Sequence, residues 1–167
     1  MEKTNKEIET VEPTTEIIDI KGASSKLAAM MAFVKQNLRK GHDYMSIAGG
    51  KPTLLKSGAE KMNILMGYSA EYHKTKEVMN PTDSFYYVEI KCVLNSKNGS
   101  EVAQCIASCN NKERNRQNIA FPDSLNTVLK MAEKRAYVGA TLNANALSQF
   151  YQQDIEDAAN GKTVENQ

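Results

Sequence analysis

Lys130-Met131-Ala132-Glu133-Lys134-Arg135-Ala136-Tyr137-Val138-Gly139-Ala140 lies at the centre of a stretch, Asp123 to Phe150, that reads as one long helix. Set at helical spacing, Leu125, Val128, Leu129, Ala132, Ala136, Gly139 and Ala140 share one stripe, while Asn126, Thr127, Lys130, Lys134, Tyr137 and Thr141 share the opposite ridge. The stripe is predicted to pack and the ridge to meet water or a ligand. Much of the stripe is Ala or Gly, so the helix is built to approach a sheet closely. Arg135 falls at the edge of the packing face, near Val128, Gly139 and Leu142. A guanidinium cannot shed its charge there, so it requires a carboxylate or a phosphate. An internal ion pair and an anion site are equally compatible with the sequence.

Immediately before this helix, Asn110 to Asn118 is polar, basic and aperiodic, with Lys112, Arg114 and Arg116. It is predicted to be a loop, and its charges either solubilise the surface or extend one basic groove with Lys130, Lys134 and Arg135. Further upstream, Tyr86, Val88, Ile90, Cys92 and Leu94 alternate with Phe85, Tyr87, Glu89 and Lys91, the period of a half-buried strand. Asn98-Gly99 is a strong hairpin signal. A two-residue turn there sets Leu94 opposite Ala103, Cys92 opposite Cys105 and Ile90 opposite Ala107, apolar against apolar at each pair. Tyr68 to Val78 is predicted to be the third strand, ended by the break at Asn80-Pro81.

Two helices are expected before the sheet. The first is predicted from Ser24 or Ser25 as cap to about Lys40, with a stripe of Leu27, Met30, Met31, Val34 and Leu38 suited to packing or subunit contact, and Gly41 as its stop. The second opens at a capping box, Ser57-Gly58-Ala59-Glu60, and closes at Gly67. Its N-terminus, with Lys56 just before it, suits a phosphate contact. Between them, His42 to Lys56 is predicted irregular. Gly49-Gly50-Lys51-Pro52-Thr53 only imitates a phosphate loop, because Met45 stands where the first glycine belongs and Pro52 where the Ser or Thr belongs.

The 167 residues suggest one domain, 21–153, between two acidic tails expected to be disordered. Residues 1–20 hold two basic against six acidic side chains, net −4, and residues 154–167 hold one against four, net −3. With +1 for the whole chain, the middle carries +8. A basic body between acidic ends is the charge layout of many nucleic-acid binders, and of ordinary domains with solvated tails. No apolar run approaches a membrane span and the N-terminus has no secretory pattern, so a cytoplasmic protein without membrane contact is expected. Cys92, Cys105 and Cys109 form no CxxC pair, and with His42 and His73 they give no recognisable metal spacing, so reduced core thiols and no cofactor are expected.

The order is helix, short helix, three-stranded meander, basic loop, long helix: an α+β chain with an antiparallel sheet packed by its C-terminal helix. Met66-Gly67-Tyr68 before the sheet, the Asn98-Gly99 hairpin, and Ala132-Glu133-Lys134-Arg135-Ala136 running to Gly139 resemble the core of the single-strand annealing proteins of the Rad fifty-two kind. They resemble most closely the Sak-type recombinases of phages and mobile elements. Lys51-Pro52-Thr53-Leu54-Leu55-Lys56-Ser57-Gly58-Ala59-Glu60-Lys61 is also similar to a run in phage recombination proteins. The resemblance covers roughly residues 44–145.

It implies single-stranded DNA binding without sequence preference, annealing without ATP, a homo-oligomeric ring or filament, and a place in recombination and repair, with room for a single-stranded DNA-binding protein or other recombination proteins as partners. It assigns DNA contacts to Lys134 and Arg135, and by proximity to Lys56 and Tyr68. Gly139 to Ala144, slighter than the family's helix, and the Asn-rich 110–120 depart from the pattern. Two other classes compete. Asp83 with Glu89 and Lys91 forms a D…ExK pattern of metal-dependent nucleases, against which stands the ordinary wet face of a hairpin. A scaffold would form oligomers without DNA affinity.

Overall fold

The strand expected at Phe85 is the middle of the sheet. In the computed structural model, which describes residues 19–46, 50–113 and 120–153, three antiparallel strands run in chain order. They are β3 (Ser69–Asn80), β4 (Phe85–Asn95) and β5 (Glu101–Asn110). Two short strands, β1 (Tyr44–Met45) and β2 (Thr53–Leu54), precede them, as do α1 (Ile20–Asn37) and α2 (Lys56–Met66). The long helix α3 (Phe121–Ala144) follows the sheet. The described residues fall into two compact units, 19–37 and 38–153.

In the first unit, α1 starts four residues before Ser24, because the Asp19 carboxylate accepts the Gly22 N–H at 3.0 Å and so serves as the cap. The helix ends at Asn37, short of Lys40, and Leu38 belongs to the second unit, where it is buried. No α1 residue is buried. No helix among the described residues is long and apolar enough to cross a membrane.

In the second unit, Tyr86, Val88, Ile90, Cys92 and Leu94 of β4 turn one face of the sheet into core, and α3 lies across β4 and β5 on that face. The register is the expected one: Leu94 pairs with Ala103, Cys92 with Cys105 and Ile90 with Ala107. The turn is longer than two residues. Asn95 pairs with Glu101 after an irregularity, Ser96 N–H donates to Ser100 O, and Gly99 adopts φ +84°, as in a three-residue loop closed by a left-handed glycine. On the other side of β4, β3 pairs along its whole length apart from a bulge at Thr75.

Most of the stripe predicted to pack does so, with Leu125 and Leu129 half-buried. Val128, Ala132, Ala136, Gly139 and Ala140 are buried. A Cβ at Gly139 would stand 2.4 Å from Cys105 Sγ, so the glycine sets how close helix and sheet come. The opposite ridge divides. Lys130 is exposed and Lys134 half-buried, but Tyr137 and Thr141 are buried, because α2 covers the C-terminal half of α3. There Asn63 Nδ2 donates to Thr141 Oγ1 at 2.9 Å, and Thr141 Oγ1 donates to Tyr137 O at 2.9 Å.

The second helix has no capping box. Leu55 is the residue before its first turn and makes no side-chain cap, while Ser57 donates its hydroxyl to His42 O. Gly67 closes it as expected, at φ +69°, with Tyr68 N–H donating to Asn63 O. The stretch predicted irregular contains β1 and β2, paired Tyr44 to Leu54 and Met45 to Thr53. Residues 47–49 lie outside the described residues, and Lys51 Nζ donates to Ser148 O at 3.2 Å. The helix predicted to reach Phe150 stops at Ala144. Ala146 turns left-handed at φ 51°, a single turn of tighter helix spans Leu147–Gln149, and Gln152 then bridges to Thr53.

Buried Asp43 fixes this corner. Its carboxylate accepts from Arg39 N–H at 2.8 Å and Lys61 Nζ at 2.6 Å. Burial pushes its pKa upward, but these bonds prevail and hold it below the usual carboxylate range. The tails, 1–18 and 154–167, lie outside the described residues.

The tight helix–sheet approach is testable. Gly139→Ala is expected to lower stability by about 1–2 kcal/mol despite the better helix propensity of Ala. Cys105→Ala in the same chain removes the clashing sulfur and should recover most of that loss in a urea melt. An unchanged midpoint for Gly139→Ala alone would show that the sheet moves away freely.

Candidate functional site

The exposed part of the α3 ridge borders an open groove of about 440 Å³, lined by Lys56, Tyr72, Lys130, Met131, Glu133 and Lys134. Four of these come from two turns of α3, since positions 130, 131, 133 and 134 are neighbours at the i, i+3 and i, i+4 spacings. Lys56 is the first residue of α2, whose N-terminal N–H groups and dipole add to its charge. Tyr72 comes from β3, where it pairs with Cys92 and lies on the face of the sheet turned toward α3.

The groove brings together three of the cations the sequence assigned to DNA, Lys56, Lys130 and Lys134. Lys56 shares Glu60 at 3.7 Å across one helical turn, an exposed pair of little strength. Among the described residues, Lys130 and Lys134 make no side-chain hydrogen bond or ion pair. Their charges are open to a ligand.

Arg135 is placed differently. Its guanidinium forms a two-point pair with Glu113, Nη1 to Oε1 and Nη2 to Oε2 at 3.0 Å each, and Nη1 also donates to Ser108 O at 2.9 Å. The side chains are only 11% and 18% exposed. Of the two readings open at the sequence level, the internal ion pair is the one realised, and the guanidinium faces β5 away from the groove. Lys112 is exposed in the turn after β5 and does not line the groove; Arg114 and Arg116 lie outside the described residues. Tyr68 is half-buried at the end of α2, also outside the lining.

The residue that sequence reading missed is Tyr72. It sits in a strand predicted only by its composition, with no signal to separate it from its neighbours. Tyr72 is 43% exposed, and its ring is tilted 40° to that of Tyr137, with centroids 6.5 Å apart. Burial of part of the side chain, followed by the nearness of Cys92, Tyr137, Glu133 and Glu60, pushes its phenol well above the ordinary value. At neutral pH it is an uncharged aromatic surface with a hydroxyl to donate.

Asp83 and Glu89 do not converge. Asp83 sits in the turn between β3 and β4 and accepts from Asn80 Nδ2 at 2.6 Å. Glu89 lies in mid-strand, where Thr75 Oγ1 donates to Oε1 at 2.7 Å and Tyr87 to Oε2 at 3.3 Å. The rise from Phe85 to Glu89 alone is about 13 Å. Among the described residues no three His, Cys, Asp or Glu side chains gather in a metal-binding group.

No protein-family model matches the chain, and no curated protein does either.

The geometry separates two kinds of cation. Arg135→Ala leaves the partly buried Glu113 without its guanidinium and is expected to cost about 2–3 kcal/mol of stability, read from the denaturation midpoint. Lys134→Ala, one residue earlier, should cost under about 0.5 kcal/mol. Equal effects would show that the Arg135 pair is not a structural fixture.

Proposed function

We propose that the protein binds single-stranded DNA in this groove and that several copies together pair complementary strands without ATP. The observation that carries the reading is the convergence of Lys56, Lys130 and Lys134 on one open groove beside the accessible ring of Tyr72. Spaced cations over an aromatic surface suit a flexible strand, whose phosphates need only charge and reach and whose bases stack without regard to identity. The resemblance of the motif order to that of single-strand annealing proteins suggests recombination in a phage or mobile element as the setting.

Assembly is part of the proposal. Both edges of the sheet, β3 and β5, have one strand neighbour each, and nearly every residue of β3 is exposed. An edge of this kind can pair with a strand of another copy. Separately, α1 carries Leu27, Met30, Met31 and Val34 on a stripe in which no residue is buried, a surface suited to subunit contact.

Lys130→Ala combined with Lys134→Ala is expected to weaken binding to a mixed-sequence single strand more than tenfold, roughly two phosphate contacts at about 1 kcal/mol each. Its salt dependence should also be shallower, which titration by fluorescence anisotropy measures. Unchanged affinity in a folded double variant would sink the groove assignment. Light scattering of the wild type should show a species many subunits in mass. A monomer that anneals strands at full rate would contradict the assembly.

A further inference from the structure

A surface that bound phosphate alone would have no use for a carboxylate, yet Glu133 lines the groove between the lysines. It is half-buried, and among the described residues it makes no side-chain hydrogen bond or ion pair. The lysines around it therefore do not neutralise it by contact. Facing a phosphate chain, such a group weakens binding by repulsion unless it meets a donor.

In a single strand the donors are on the base edges. Cytosine, adenine and guanine each carry an exocyclic amino group, and a carboxylate accepts well from the cytosine N4 amine. Thymine offers one N–H, flanked by two carbonyl oxygens that repel a carboxylate. The groove also supplies what a base needs on its faces. Tyr72 is 43% exposed on a strand that pairs with β4 on both sides of the Thr75 bulge, and the Met131 thioether is a soft, polarisable contact. Acceptor, ring and thioether lie in one groove of about 440 Å³, room enough for a nucleotide.

Resting on the single-strand reading above, we propose that the groove draws in a base beside Tyr72 and Met131, and that Glu133 selects bases bearing an exocyclic amino group over thymine. The lysines then hold the adjoining phosphates. The selection is modest and local, one base in each groove, while the rest of the strand is held without regard to sequence.

The test compares labelled oligo-dC and oligo-dT of equal length, at one salt concentration and at a pH where cytosine is unprotonated. The wild type is expected to bind oligo-dC roughly tenfold more tightly, within the range for one good base contact. Glu133→Ala should bring the two affinities within about twofold, chiefly by weakening oligo-dC, with loss of one hydrogen-bonded contact as the cause. Glu133→Gln, whose amide can donate to the thymine O4, should narrow the ratio by strengthening oligo-dT. Equal wild-type affinities would overturn the proposal. So would a parallel rise for both oligomers in Glu133→Ala, the mark of a carboxylate that merely tempers the lysines. If the wild type binds neither oligomer, the single-strand reading fails and this inference with it, a result distinct from binding without preference.

Discussion

The structure depends on how closely α3 can lie against β4 and β5. Ala132, Ala136, Gly139 and Ala140 give the helix a face with almost no side-chain thickness, and Gly139 meets Cys105 where even one methyl group would collide. Dense packing of this kind transmits position: the helix cannot rise or slide without opening a void under Val128 and Val138. With α3 fixed over β4 and β5, β3 extends past the helix and remains exposed, apart from the turn of α3 that reaches Tyr72 through Tyr137. The groove is the notch left between a helix that covers two strands and a sheet that has three.

The same placement sorts the charges on α3. Along the ridge facing away from the sheet, Tyr137 and Thr141 are buried where α2 packs on α3, whereas Lys130 is exposed and Lys134 half-buried. Lys130 and Lys134 therefore stay open. Arg135, about 100° further round the helix than Lys134, points at the end of β5, where a buried guanidinium is tolerable only with a carboxylate and a carbonyl to receive it. Adjacent cations thus end in opposite roles, one fixing the edge of the core and one facing solvent.

What was legible in the sequence followed from period and turn chemistry. The alternation in β4 and the glycine at position 99 fix the register with β5, even though the loop is one residue longer than a two-residue turn, because the irregularity at Asn95 absorbs the extra residue. The small-residue stripe gave the packed face of α3. What was not legible depends on contacts distant in sequence. Nothing local shows that Glu113 receives Arg135, that Tyr137 and Thr141 lie under α2, or that Ala146 turns left-handed and ends a periodicity continued by Leu147. β1 and β2 are too short to have a period. Ser57 looks like a cap but is drawn to His42 O, a competing acceptor brought near only by the fold.

The small number of cations lining the groove bears on how the proposed activity can work. Three lysine–phosphate contacts at about 1 kcal/mol each supply about 3 kcal/mol, less than the roughly 4 kcal/mol of even a millimolar complex. In the proposed complex, stacking on Tyr72 would add about 1–3 kcal/mol, so one subunit would hold a strand only weakly. Weak holding by each unit suits annealing, because a strand must be extended for pairing and then yielded to the duplex. Tight holding has to come from repetition, each further subunit acting on a strand already tethered nearby. An exposed β3 edge and an unburied α1 stripe are surfaces through which repetition can be built, and the amount of strand held then scales with the number of copies rather than with the depth of any one groove.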